Sequence, residues 1–118
     1  MLDFILAISE KKIKPDGKAK LTFTFRNNSD KLIHILSYRF TTYRDNMVVT
    51  GFTPHDFFFD IPKGEEVQRQ FGDVNISEAY LAGNTNPGVY NISVSIKYFI
   101  CGEHKAINTM SNTEVEIE

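Results

Sequence analysis

The sequence predicts an all-β chain, an antiparallel β-sandwich of seven or eight strands. Three observations lead there. Gly88 to Ile100 is the longest unbroken alternation, with Tyr90, Ile92, Val94, Ile96, Tyr98 and Ile100 on one face of a period-2 strand and Asn91, Ser93, Ser95 and Lys97 on the other. Turn signals separate short apolar runs along the whole chain, with almost no helical periodicity. Ten Phe and five Tyr without a Trp lean the composition toward strands. A strand with one apolar face needs a second layer to cover it, and 118 residues at 42% hydrophobic content suffice for one core, so a single domain over 1–118 is expected.

In chain order, Leu2, Phe4, Leu6 and Ile8 form a first alternating strand, ended by the charged Glu10-Lys11-Lys12. Pro15-Asp16-Gly17 is a turn: a preset φ, a side chain that bonds its own backbone and a residue tolerant of positive φ. The second strand points Ala19, Leu21, Phe23 and Phe25 inward, and Asn27-Asn28-Ser29-Asp30 then breaks the chain. A long third strand runs from Leu32 to about Tyr43. Leu32, Leu36, Tyr38 and Phe40 are expected inward, but Ile33 and Ile35 break that phase, which calls for a bulge near His34 or burial on both faces.

Arg44-Asp45-Asn46 turns into a short return strand, Met47 to Thr50. After the break from Gly51 to Asp56, Phe57, Phe59 and Ile61 suit the core and Phe58 is left pointing outward. Beyond Pro62-Lys63-Gly64-Glu65, Val67, Arg69 and Phe71 alternate with polar residues in what reads as an edge strand. Gly72 to Pro87 is the longest stretch without a strand pattern, and a helical turn at 76–81 is expected there with Ser77 as its N-cap. After the turn at Gly102-Glu103-His104-Lys105, Ile107, Thr109, Thr113, Val115 and Ile117 keep one phase to the end, with an interruption expected at Ser111-Asn112.

Lys+Arg 13 against Asp+Glu 15 leaves a net charge of -2, so there is no electrostatic case for nucleic acid or an anionic membrane surface as a partner. Cys101 is the single cysteine, which rules out an intrachain disulfide and multi-thiolate zinc sites and favours a reducing, cytoplasmic setting. The apolar N-terminus has an acid at Asp3 and no basic flank, so it reads as a first strand rather than a signal peptide. The three Asn-X-Ser sequons, beginning at Asn27, Asn75 and Asn91, read as coincidental in an Asn-rich chain.

Pro87-Gly88-Val89-Tyr90 resembles the start of strand F in immunoglobulin-like and fibronectin-type-III-like domains, where a Tyr seals a corner through its hydroxyl. The resemblance implies an immunoglobulin-like sandwich with the Gly88 strand central in its sheet. The run from Leu21 to Ile35, followed by Pro62-Lys63-Gly64-Glu65 and Pro87-Gly88-Val89-Tyr90, is similar in layout to the bacterial intracellular proteinase inhibitor family typified by BsuPI, which implies protease inhibition. Asn27 to Phe40 is similar to a stretch of ApaG-like domains. None of these brings a functional residue with it.

For chemistry, Cys101-Gly102-Glu103-His104 puts a thiol and an imidazole on one turn, half of a metal site that needs further ligands, with His34 and His55 on other elements. His55, Asp56 and Asp60 are the other acid/base set, read more simply as a loop cap and solvent-facing groups. The chain has no phosphate-binding glycine loop, nucleophile elbow or HExxH helix. No catalytic residue, metal or cofactor is therefore expected.

If successive strands alternate in direction, the turns at 27–30, 51–56 and 72–87 gather at one end of the sandwich and those at 15–17, 44–46, 62–65 and 102–105 at the other. The first end holds the two longest loops with Phe52, His55 and Tyr80. With Phe58 these are the expected binding residues for a protein partner, Phe52 and Tyr80 alternatively plugging the open end of the core. A structural, self-associating domain, using the Phe58 face or the edge from Val67 to Phe71, is the further alternative.

Overall fold

Period-2 patterning becomes strands almost residue for residue in the computed structural model, which describes residues 1–51, 55–81, 83 and 86–118. In order these are β1 (Leu2–Ile8), β2 (Lys12–Ile13), β3 (Lys18–Asn27), β4 (Ile33–Arg44), β5 (Met47–Gly51), β6 (His55–Ile61), β7 (Glu66–Asn75), the single turn α1 (Ile76–Ala79), β8 (Gly88–Ile100) and β9 (Ile107–Ile117). One sheet has the order β1-β3-β7, the other β2-β9-β8-β4-β5 with β6 also paired to β4. All pairings are antiparallel except the two-residue contact of β2 with β9. The fold is an all-β sandwich.

The inward phases of the two sheets meet in one core: Leu2, Phe4, Leu6 and Ile8 of β1, Ala19, Leu21, Phe23 and Phe25 of β3, and Tyr90 through Tyr98 of β8. Phe23, with no exposed surface, lies at its centre, its ring within 6.2 Å of those of Phe4, Phe25, Tyr38, Phe40, Phe57 and Phe71. β8 is central in its sheet, between β4 and β9.

β4 carries the bulge its sequence demanded, one extra residue against β8 between Ile35 and Ser37, while in its pairing with β6 the extra residue belongs to β6, at Phe57 and Phe58. The extra residue switches the phase, so Ile33 and Ile35 are buried before it and Phe40 and Thr42 after it. Leu36 is the bulged residue and Leu32 precedes the strand, so both stay half-exposed instead of pointing into the core as expected. β9 pairs with β8 without a register shift, so the interruption expected at Ser111-Asn112 does not occur; both positions are carried in the ladder. Asn75, not Ser77, is the N-cap of α1, its side chain accepting from the Glu78 N–H at 3.3 Å, while the buried Ser77 donates its hydroxyl to Asn75 at 2.9 Å.

The grouping of turns differs from the sequence expectation, for one topological reason. β5 and β6 both pair antiparallel with the same flank of the 12-residue β4, end to end, so these two strands run in one direction. Counting them as two alternating strands inverts every later strand. The 27–31 turn therefore sits with 62–65 and 101–105, tied by Asn27 N–H to the Glu65 carbonyl at 3.0 Å, Gly64 N–H to the Asn27 carbonyl at 2.9 Å and Cys101 N–H to the Leu32 carbonyl at 2.8 Å. The 9–17 connection, the 44–46 turn, residues 76–81 and residues 86–87 share the opposite end.

Tyr90 seals its corner through its hydroxyl, which donates to the Asn86 carbonyl at 2.7 Å and accepts from Arg44 Nη1 at 3.0 Å. Arg44 Nη2 donates to the Pro87 carbonyl at 2.7 Å, and Gly88, at φ +146°, leaves the guanidinium room, since a Cβ there would lie 2.9 Å from it. Tyr90→Phe is expected to cost about 1–2 kcal/mol, because the Asn86 carbonyl and Arg44 both lose a partner. Thermal denaturation checks the cost, and amide exchange should rise at 86–88.

Candidate functional site

The two long sides of the sandwich are finished differently. On one, the Leu6 N–H donates to Ser111 Oγ at 3.0 Å across the sheets, and β2 covers the β9 edge with Glu116 N–H to the Lys11 carbonyl at 2.7 Å and Glu118 N–H to the Ile13 carbonyl at 2.9 Å. A cleft of about 800 Å³ beside β2 is polar, its lysines already engaged: Lys11 with the Thr113 hydroxyl at 2.9 Å and Lys12 with Glu116 at 3.2 Å. The other side is bounded by β6 and β7, which share no main-chain pairing among the described residues.

Between those two edges lie half-buried aromatics. Phe57, Phe59 and Phe71 pack against the core, and the Arg69 guanidinium lies 4.5 Å over the Phe59 ring. Arg69 occupies an inward position of β7, opposite Phe23 of β3, and reaches out over the seam, where its Nη1 donates to the Gln68 carbonyl at 3.0 Å. His55 stacks on Tyr38, ring centroids 5.2 Å apart.

On the outer face of the same strand, Phe58 is 71% exposed. Among the described residues it is the only aromatic in the set of exposed large apolar side chains. Leu36 and Phe99 stand near it around an open cleft of about 680 Å³, also lined by His34, Asp60 and Cys101. His34 Nδ1 and Asp60 Oδ1 are 2.6 Å apart on paired positions of β4 and β6.

Of the residues the sequence marked for binding, His55 and Phe58 both lie on β6 with exposed side chains, but on opposite faces, His55 against Tyr38 and Phe58 outward. Phe52 lies outside the described residues. Tyr80 is only 6% exposed and its ring packs 4.5 Å from that of Phe40, so it takes the plugging role. Burial, with a smaller contribution from the Tyr38 phenol, holds the Tyr80 hydroxyl well above the ordinary tyrosine range, so it stays protonated. Cys101 and His104 are exposed on their turn, and among the described residues no three His, Cys, Asp or Glu side chains gather to hold a metal. Sequence reasoning passed over Arg69 as a site residue, although its phase between Val67 and Phe71 already placed a charge at an inward position of an edge strand.

No protein-family model matches the chain, and no curated protein does. Solved structures match its fold. Spo0M, a sporulation control protein from Bacillus subtilis, superposes with a TM-score of 0.60 at 16% identity; the match covers 99% of this chain and 49% of that one, so the chain spans about half of Spo0M. The CARDB domain of the PF1109 protein from Pyrococcus furiosus, solved in complex with di-metal ions, gives 0.58 at 12% identity over 99% and 92% of the two chains. A protein from Archaeoglobus fulgidus gives 0.52 at 10% identity over 100% and 96%. At such identities the likeness is one of β-rich fold alone.

Proposed function

We propose that the chain is a non-catalytic protein-binding domain that meets its partner with the β6 side of the sandwich. The observation that supports this most is Phe58: a phenylalanine 71% exposed at the middle of β6, where Phe57 and Phe58 together stand against the single Leu36 of β4, and beside Leu36 and Phe99 at an open cleft. A single exposed aromatic costs solubility without adding to the core, and aromatic side chains with an apolar surround are enriched where proteins meet. The immunoglobulin-like kinship belongs to the same proposal and rests on the Tyr90 corner.

Phe58→Ser tests the reading. The side chain is outside the core, so the thermal midpoint should move by the equivalent of less than about 0.5 kcal/mol. Capture of a partner from native lysate, identified by mass spectrometry, should fall at least about tenfold, as for loss of a central aromatic anchor. Unchanged capture with an unchanged midpoint would refute the β6 side as the contact.

A further inference from the structure

We propose that β6 takes its partner by strand addition, and that the partner contributes an extended segment with an apolar residue flanked at two-residue spacing by basic ones. This rests on the protein-binding reading above and specifies its chemistry. β6 is bonded to β4 on one flank only, and the described residues place no strand on the other. An open edge offers a row of unpaired main-chain donors and acceptors, and proteins ordinarily blunt such edges with charges, prolines or bulges. β7 is blunted by charged and polar side chains: Arg69 takes an inward phase at its middle but reaches out over the seam, exposed, and Glu66, Gln68 and Gln70 fill the other phase. β6 carries acids at Asp56 and Asp60 and one extra residue against β4 at Phe57 and Phe58, yet between those acids it presents Phe57-Phe58-Phe59 in succession. An added strand would lie about 4.8 Å away, its inward side chains reaching Phe57 and Phe59 and its outward ones reaching Phe58.

Charge selects the occupant. Asp56 and Asp60 stand two residues to either side of Phe58, all three exposed. Residues directly opposite in neighbouring strands attract or repel according to charge, so a basic, apolar, basic row complements this face. A second copy of the chain does not. Two β6 strands paired antiparallel about Phe58 would set Asp56 against Asp60 twice, like charge on like charge, and the His34 imidazole is already engaged with Asp60 at 2.6 Å. The occupant is therefore a segment of a different protein.

Two end-blocked, dye-labelled nine-residue peptides test this, identical β-forming sequences except that one carries Lys-Thr-Val-Thr-Lys at its centre and the other Glu-Thr-Val-Thr-Glu. Fluorescence anisotropy with the intact chain is expected to show the Lys peptide binding about tenfold more tightly. N-methylation of the Lys peptide along the edge it would offer β6 should abolish binding, because strand addition needs its N–H groups. Asp56→Lys, at an exposed side chain, should reduce the preference, and Asp56→Lys with Asp60→Lys should reverse it. Equal binding of the two peptides, no binding of either, or undiminished binding after N-methylation would overturn the proposal. So would light scattering that shows the chain dimerising through this edge, with dimerisation lost in Phe58→Ser. If Phe58→Ser abolishes partner capture while the peptides show no preference, strand addition falls and the protein-binding reading stands.

Discussion

Phe23→Ala is expected to destabilise the domain by about 4 kcal/mol, within the roughly 3–5 kcal/mol found for buried Phe truncations. The ring has no exposed surface and joins β1, β3, β4, β6 and β7 through Phe4, Phe25, Tyr38, Phe40, Phe57 and Phe71. The cavity left behind cannot be filled by one neighbour without disturbing another, since those rings also pack on each other: Tyr38 on Phe40 at 5.1 Å and Phe4 on Phe25 at 5.1 Å. For a chain of this size the thermal midpoint should fall by about 15 °C. Phe23→Leu, which keeps part of the volume, should lose less than half as much.

Asn27→Ala should cost about 3 kcal/mol, a large effect for a residue in a turn. Asn27 continues the inward phase of β3 past Phe25 and has no exposed surface. Its carboxamide uses its full capacity: Nδ2 donates to the Lys31 carbonyl at 2.7 Å and the Ile61 carbonyl at 2.8 Å, and Oδ1 accepts from Ser29 N–H at 2.9 Å and Ser29 Oγ at 2.7 Å. These bonds lock the β3 to β4 turn onto the end of β6. Truncation removes a donor from two main-chain carbonyls, of which that of Lys31 keeps the Ser29 hydroxyl at 2.9 Å, and it strips Ser29 of its acceptor; an unmet buried group costs about 1–3 kcal/mol. Asn27→Asp should be no milder, because it turns the donor into an acceptor facing those same carbonyls. Chemical denaturation measures both, and amide exchange should quicken at 28–32 and 61–65 in either variant.

Alternation made the layers legible before any coordinates. The inward phases of β1, β3 and β8 follow from residues such as Leu6, Phe23 and Ile96, because a sheet with one buried face leaves no other register. The bulge in β4 was legible too, since Ile33 and Ile35 cannot share a face with Phe40 unless one residue is inserted. What alternation does not carry is direction. Whether β5 and β6 return on themselves or continue along one edge depends on which flank of β4 is free, a tertiary fact, and that parity decided which turns meet at which end. Outward Phe58 was legible from its own phase. That Tyr80 fills the core was legible only as one of two alternatives, because the 76–87 sequence has no period to read and the ring's place is set by Phe40 on another element.

Hydrogen–deuterium exchange of the chain, alone and with its captured partner, tests the central claim most directly. The expected result is slowed exchange at 55–61 on β6, with 76–81 and 86–88 at the opposite end unchanged. Protection concentrated in those end segments, with β6 exchanging as in the free chain, would contradict it.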